Sequence, residues 1–310
     1  MRRPLLAAAV GVLTMAGLAT SSSASSASTS SRGALRALTA GEQTTVTYCN
    51  HQQARITEPP IPGHPAPAAV YVHGGSWVSG NYDTGGFLID QIGPDLASKG
   101  FVVVSVNYRL GPGVPWPAQI EDVKCAIRFI RANARALNVN PNEIGTWGQS
   151  AGGQLASLLG TAGPSAGWDG GAYPHQSSKV EAVVDMAGPS DLQTLGVQGD
   201  SRLVEASFVS LLGKKAAHNL NTAMKAASPV TYAAPGDPPF LILHSDNDRI
   251  VYPQQSKELS WDLAANQVPN QLVIVSGAGH EFDQAGGSPD QGAIATMVVD
   301  FFIAHLAFHL

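Results

Sequence analysis

The sequence predicts an α/β protein, with a mostly parallel central sheet, helices on both faces and a small insertion above the site. Six near-continuous apolar runs point to it: Ala69–His73, Phe101–Asn107, Glu143–Trp147, Val180–Met186, Phe240–His244 and Gln271–Val275. A strand covered on both faces reads this way, whereas a half-exposed strand alternates. Helical patterns lie between or after these runs, at Phe87–Ser98, Ala118–Leu137, Ala151–Leu159, Gln254–Asn266 and Gly292–Phe308. In the second, Ile120, Val123, Ile127, Ile130 and Leu137 recur at helical spacing. Repeated β–α alternation favours one open sheet with right-handed crossovers.

At the N-terminus, Arg2 and Arg3 precede the apolar stretch Leu5–Ala19 and the Ser/Ala tract Thr20–Ser31. That order is the pattern of an export signal. A membrane-anchoring helix is disfavoured because the stretch is short and Gly-interrupted. Cleavage near Ala24 or Ala27 would make residues 1–27 the signal and 28–310 a single domain. Losing Arg2 and Arg3 but no acid moves the formal charge from −5 to −7. Next, Thr44–Tyr48 and Gln52–Thr57 read as a hairpin around Cys49-Asn50. Glu58–Pro67 carries five prolines and reads as a surface loop. Gly160–Tyr173 and Asp191–Pro229 break the alternation and read as insertions above the sheet, 191–229 as a lid or cap. An exported chain meets an oxidising compartment, so Cys49 and Cys125 are a candidate disulfide.

Composition removes several classes of function. A negative net charge offers no basic footprint for nucleic acid. Two cysteines exclude a disulfide-dense scaffold and any all-cysteine metal site. Beyond the N-terminus no clean apolar run is long enough to span a membrane. No paired-His metal spacing or phosphate-cradling loop is present. Neither a metal nor an organic cofactor is therefore expected.

Ligands of open α/β sheets bind beyond the carboxyl ends of the strands. After Glu143–Trp147 comes Gly148-Gln149-Ser150-Ala151-Gly152-Gly153, then an apolar helical run. This Gly-x-Ser-x-Gly turn holds a serine out of the sheet at a helix N-terminus. A serine hydroxyl needs a base, and the base needs an orienting acid. His280, flanked by Gly277, Gly279 and Glu281, directly follows the strand Gln271–Val275 and is the best-placed base. His51, His64, His175 and His218 lie in loops or insertions, and His305 and His309 on the last helix. His73 and His244 end strands and read as having other duties. Asp246 and Asp248, after Phe240–His244, both qualify as the acid, and either could instead cap its turn. The N–H groups of Gly74 and Gly75, after the first apolar strand, and of Ala151 would form an oxyanion hole, each worth about 3–4 kcal/mol to the transition state.

The order Ser150, Asp248, His280 is that of α/β-hydrolases. With His73–Trp77, Asn107–Leu110, Pro117–Gln119, Asp122, Gly148–Gly153, Ala227–Tyr232, Pro238–Val251 and Gly277–Phe282, the chain resembles the secreted bacterial esterases of that fold, including hormone-sensitive-lipase-like and feruloyl-esterase-like members. The resemblance implies that the acid is the Asp four residues after the strand-end His, which selects Asp248. It also implies that Arg109 and Asp122 brace the core. Ser76, Ser245 and Tyr252 stand where the family commonly has Gly, Gly and Pro.

The expected function is hydrolysis of a small carboxylic ester through a covalent acyl-serine. Alternatives are an oligopeptidase-type serine peptidase, a lipase, and a non-catalytic binding protein on the same fold. The peptidase would usually carry a propeller domain, for which residues 28–68 are too short. The binding protein would normally have lost a triad member. The lipase would want a wider apolar lid than 191–229 offers. Trp77, Tyr82, Trp116 and Phe208 are candidate pocket walls.

Overall fold

The computed structural model describes residues 35–61, 65–198, 201–282 and 286–306. The segment read as an export signal, residues 1–27, lies outside them. Within the described residues, one eight-stranded sheet has the order β1-β2-β4-β3-β5-β6-β7-β8. Here β1 is Gln43–Thr47, β2 Gln53–Thr57, β3 Ala66–Val72, β4 Val102–Val106, β5 Val139–Gln149, β6 Ala182–Met186, β7 Phe240–Ser245 and β8 Asn270–Val275. The hairpin β1–β2 is antiparallel and joins β4 antiparallel; all other pairs are parallel.

Continuous apolar runs become two cores because successive strand side chains point to opposite faces. Val70, Val72, Val104 and Val106 pack in one core with α2 (Ala118–Ala132) and α3 (Ala151–Thr161). Tyr71, Val103, Trp147 and Val184 pack in the other with α1 (Gly93–Ser98) and α8 (Gln291–His305). Trp147 is fully buried, its ring 5.2 Å from Tyr71 and 6.2 Å, edge-on, from Phe302 of α8.

Several boundaries differ from the sequence reading. The helix expected over Ala118–Leu137 stops at Ala132, where the Asn133 side chain donates to the Phe129 carbonyl. Leu137 is buried but lies outside the helix, and β5 begins at Val139, before the expected Glu143. The expected helix Phe87–Ser98 starts as a wide π-type turn, Leu88–Ile92, before α1. The expected insertion 191–229 is largely helical: α4 (Leu192–Gln198), α5 (Ser201–Leu212) and α6 (Leu220–Ala226). It leaves from the carboxyl end of β6.

The expectation that Gly160–Tyr173 sits above the sheet is corrected. Helix α3 runs back along the strands, so its end returns to the strands' starting side. There Gly160–Ser165 and Asp169 line a cleft of about 660 Å³ with Val180, Glu181 and Pro238, which precede β6 and β7. Two buried cations of α2 hold this loop. Lys124 donates to the Ala162 carbonyl (2.7 Å), and Arg128 to Gly170 (2.8 Å) and Asp169 (3.1 Å).

Cys49 and Cys125 form a disulfide, with Cα atoms 6.2 Å apart, joining the turn of the β1–β2 hairpin to α2. Beside it, Asn50 donates to Asp122 (2.6 Å), whose other oxygen accepts from the Arg109 side chain (2.7 Å). The bridge closes a 76-residue separation. Constraining a loop of that size in the unfolded chain is worth about 4 kcal/mol. Replacing both cysteines by serine is therefore expected to lower Tm by about 8 °C while sparing turnover at low temperature. An unchanged melting curve would show that the bridge adds no stability.

Candidate active site

The first apolar strand, β3, delivers His73-Gly74-Gly75, and neighbouring β5 delivers Ser150, so two glycine-rich turns meet at adjacent strand ends. Ser150 has φ 57° and ψ −125°. A non-glycine residue in such backbone is strained, and the surrounding structure must hold it there. Two glycines allow the close approach. A Cβ on Gly152 would collide with the Val72 carbonyl, and one on Gly148 with the Gly152 carbonyl. The Ser150 N–H donates to the Met186 carbonyl of β6 (2.9 Å), and its own carbonyl accepts from Gln154 (3.1 Å), opening α3. The first N–H groups of a helix lack intrahelical acceptors and carry the positive end of its dipole. Ala151, the first residue of α3, is buried beside Ser150.

Gly74 adjoins the elbow: a Cβ there would come 3.4 Å from the Ser150 Cβ. Its carbonyl accepts from His73 Nδ1 (2.7 Å). Burial pushes the His73 imidazole down to about 4, against the opposing pull of that hydrogen bond. His73 is therefore neutral at pH 7, stacked 4.3 Å from the Tyr108 ring, and serves to fix the glycine turn.

His280 follows β8, and its Nδ1 lies 2.6 Å from Asp248 Oδ2. The other oxygen of Asp248 accepts from the N–H groups of Ile250 (2.8 Å) and Val251 (3.0 Å). Burial opposes the charge on Asp248, but hydrogen bonds from His244 and His280 outweigh it and hold the carboxyl well below the usual range. Asp246 is exposed and instead accepts from the Gly277 N–H (2.8 Å), bracing the loop that carries His280. Gln149 joins the two halves: its side chain donates to the His280 carbonyl (2.9 Å), one residue before the serine. No hydrogen bond joins the Ser150 hydroxyl to the imidazole in this resting arrangement. Such contacts commonly tighten only when substrate is bound.

Of the expected pocket walls, Trp77 and Phe208 are core residues, 3% and 5% exposed. The Trp77 indole donates to Gln154 of α3 (3.0 Å). Tyr82 lies under the Arg55 guanidinium, 5.5 Å from its ring centre. Trp116 stays half-buried, edge-on to Trp168 (5.1 Å), and its main-chain N–H donates to the Leu211 carbonyl of α5 (2.7 Å).

The sequence reading missed Gln149 and Asp185. Asp185 is a fully buried carboxyl whose oxygens accept from Ser157 (2.7 Å) and the Gly188 N–H (2.7 Å), and burial pushes its pKa up. An acid near the end of the run Val180–Met186, set after Ala182-Val183-Val184, was a signal for it. Nothing at position 149 marks a glutamine as the tie.

A mostly parallel sheet with a strained serine elbow, a glycine turn beside it and a histidine–carboxylate pair on later strands defines an α/β-hydrolase. The model of the BD-FAE family matches residues 55–263, and the chain belongs to that family. The matched span holds Ser150 and Asp248; His280 falls after it. Esterase LipC of Mycobacterium tuberculosis is 30% identical over 239 residues, 76% of this chain and 58% of that protein. The probable carboxylic ester hydrolase LipM of the same organism is 29% identical over 247 residues, 78% of this chain and 54% of that protein. The chain thus spans little more than half the length of these relatives. A truncated form of a carbohydrate esterase from gut microbiota superposes with a TM-score of 0.71 at 29% identity, covering 87% of this chain and 99% of that one. Esterase Est2 of Thermogutta terrifontis shares the fold at 24% identity and a TM-score of 0.68, over 86% of this chain and 93% of that one.

Proposed function

We propose that this chain is a secreted serine carboxylesterase that cleaves short-chain or small soluble esters through an acyl-enzyme. The observation that carries the reading is the 2.6 Å hydrogen bond between His280 and Asp248, tied through Gln149 to the serine elbow. Because a carboxylate only accepts, the His280 proton sits on Nδ1 and Nε2 is left as the base. In the proposed cycle, Nε2 takes the Ser150 proton as the hydroxyl oxygen bonds to the acyl carbon. The N–H groups of Gly74, Gly75 and Ala151 meet the oxygen as it becomes negative. His280 then protonates the leaving alcohol, and later takes a proton from the water that releases the acid. The named esterases among its relatives support the ester bond as the target.

Export is part of the proposal, supported by the pattern in residues 1–27 and by the disulfide, which suits an oxidising compartment. The size preference rests on Asp191, Asp200, Arg202, Glu205, Lys214 and Lys215 in the insertion, because these charges interrupt any broad apolar lid for emulsified fat. Of the pocket candidates, Tyr82 and Trp116 are half-buried, and Trp116 packs against α5 of the insertion. A panel of dissolved p-nitrophenyl esters, acetylated sugars, feruloyl esters and emulsified triglyceride tests the reading. Acyl chains of about two to six carbons on soluble esters are expected to turn over fastest; faster turnover of long-chain triglyceride than of dissolved butyrate ester would overturn the size preference.

A further inference from the structure

His244 ends β7 with its imidazole fully buried, and the mechanism above gives it no task. Its Nε2 lies 2.8 Å from the Val251 carbonyl, which can only accept, so Nε2 carries the proton. Its Nδ1 lies 2.6 Å from Ser256 Oγ in the first turn of α7 (Gln254–Ala265), so the Nδ1 lone pair accepts from the hydroxyl. The Ser256 hydroxyl, which can donate or accept, is compatible with that placement of the proton. Nε2 also lies 3.3 Å from Asp248 Oδ2, the oxygen that His280 approaches to 2.6 Å. One carboxylate oxygen therefore serves two imidazoles, and one of these also closes the turn 244–251 that carries the carboxylate. The titratable and charged groups facing this cluster are Asp248 itself, His280 from the loop after β8, Asp185 of β6, which interacts electrostatically with His244, and Asp246, Arg249 and, from α7, Lys257, which line the cavity beside Asp248. The hydrogen-bonding contact of His244 on α7 is the neutral Ser256.

We infer that His244 is a positioning residue for the Asp248–His280 pair, clamping the acid's turn and sharing the oxygen that His280 uses. The inference rests on the triad reading above. Two consequences follow from the geometry. The clamp fixes the angle at which Asp248 presents Oδ2, and with it the direction of the His280 ring, so its loss lowers kcat while leaving substrate binding alone. The second donor also draws on the charge of Oδ2. Without it, Asp248 stabilises protonated His280 more strongly, and the acid limb of kcat/KM moves to higher pH.

The experiment compares His244→Phe, His244→Gln and Ser256→Ala with the wild-type chain and with Ser150→Ala, using dissolved p-nitrophenyl butyrate across pH, alongside Tm. His244→Phe fills the space but removes the donor. It is expected to lose about tenfold in kcat, less than the ~100-fold that a displacement of order 1 Å costs, with KM changed by less than about twofold. Its acid limb is expected to rise by about half a unit. His244→Gln returns an N–H donor and should bring the limb most of the way back. Ser256→Ala removes the hydroxyl that holds the ring from its Nδ1 side, loosening it against Asp248, and should move the limb in the same direction as His244→Phe, by less. An acid limb unmoved in both His244→Phe and Ser256→Ala overturns the inference, whatever happens to Tm. If His244→Phe does not fold, Ser256→Ala and His244→Gln decide by the same readout. Should Ser150→Ala keep its turnover, the triad reading itself has failed. Should Ser150→Ala be inactive while the limb stays fixed, only the role of His244 has failed.

Discussion

Ser150→Ala is expected to abolish acyl transfer, with kcat falling by about 10⁶, as removal of the nucleophile does in a serine protease. What remains should be the residual catalysis of about 10³–10⁴ over water that binding and the oxyanion hole supply alone. The fold should not register the change. The strain at Ser150 lies in its backbone, φ 57° and ψ −125°, and alanine bears the same Cβ in the same position. The hydrogen bonds that anchor the elbow are main-chain ones, from Ser150 N–H to Met186 and from Gln154 to the Ser150 carbonyl. The pair Asp248–His280 and the tie from Gln149 to the His280 loop are also left intact. Hydrolysis of dissolved p-nitrophenyl butyrate and a thermal melt on one preparation check both halves. Retained turnover in a folded, pure Ser150→Ala chain would remove Ser150 as nucleophile. A large fall in Tm would show that the hydroxyl has a structural role instead.

The parts of the fold legible from sequence are those in which one local pattern serves one tertiary setting. A strand such as β3, buried along its whole length, must be apolar at every position, and Ala66–Val72 is. The elbow was legible because Gly148 and Gly152 cannot carry a Cβ where the chain passes Val72. Leu137 misled because a buried leucine fits helical spacing and yet packs equally well from the turn leading into β5. The loop after Gly160 was put on the wrong side of the sheet because chain order says nothing about where α3 ends. The two cations that hold that loop, Lys124 and Arg128, sit on α2 and are buried. Their partners, Asp169 and the Ala162 and Gly170 carbonyls, come from a segment more than thirty residues on.

The site divides along the same line. Glycines around His280 mark a loop that must turn sharply, and this much is local. Which carboxylate meets that histidine is tertiary information. Asp246 and Asp248 lie two residues apart in the same turn, and only family spacing separated them. In the structure, burial and partners separate them: Asp248 is enclosed with two histidines, and Asp246 is exposed beside Gly277. Gln149 and His244 were not legible as site residues at all. Their contacts are formed only by the folded chain: the His280 carbonyl meets Gln149, and the Val251 carbonyl, the Ser256 hydroxyl and Asp248 gather around His244.

The contrast between the two acids gives the second large effect. Asp248→Asn is expected to cost about 10⁴ in kcat, the loss that follows when a triad acid becomes an amide in a serine protease. The reason can be traced atom by atom. Oδ1 of Asp248 accepts two main-chain N–H groups, from Ile250 and Val251, so the amide oxygen of asparagine must take that place. The NH₂ group is then forced toward His280 Nδ1 and His244 Nε2, where Oδ2 stood. Facing a donor, His280 moves its proton to Nε2 and can no longer accept one from Ser150. His244, whose Nε2 proton is fixed by Val251 and whose ring is held by Ser256, cannot turn to relieve the clash. In Asp246→Asn the amide oxygen can still accept from Gly277, at an exposed position with no second donor against it. That change is expected to cost less than about threefold, in keeping with an exposed neutral hydrogen bond. Steady-state kinetics of the two variants on one soluble ester, with Tm measured alongside, decide between the acids. If Asp246→Asn were the more damaging change in a folded chain, Asp248 would be the capping residue of its turn and not the partner on which catalysis depends.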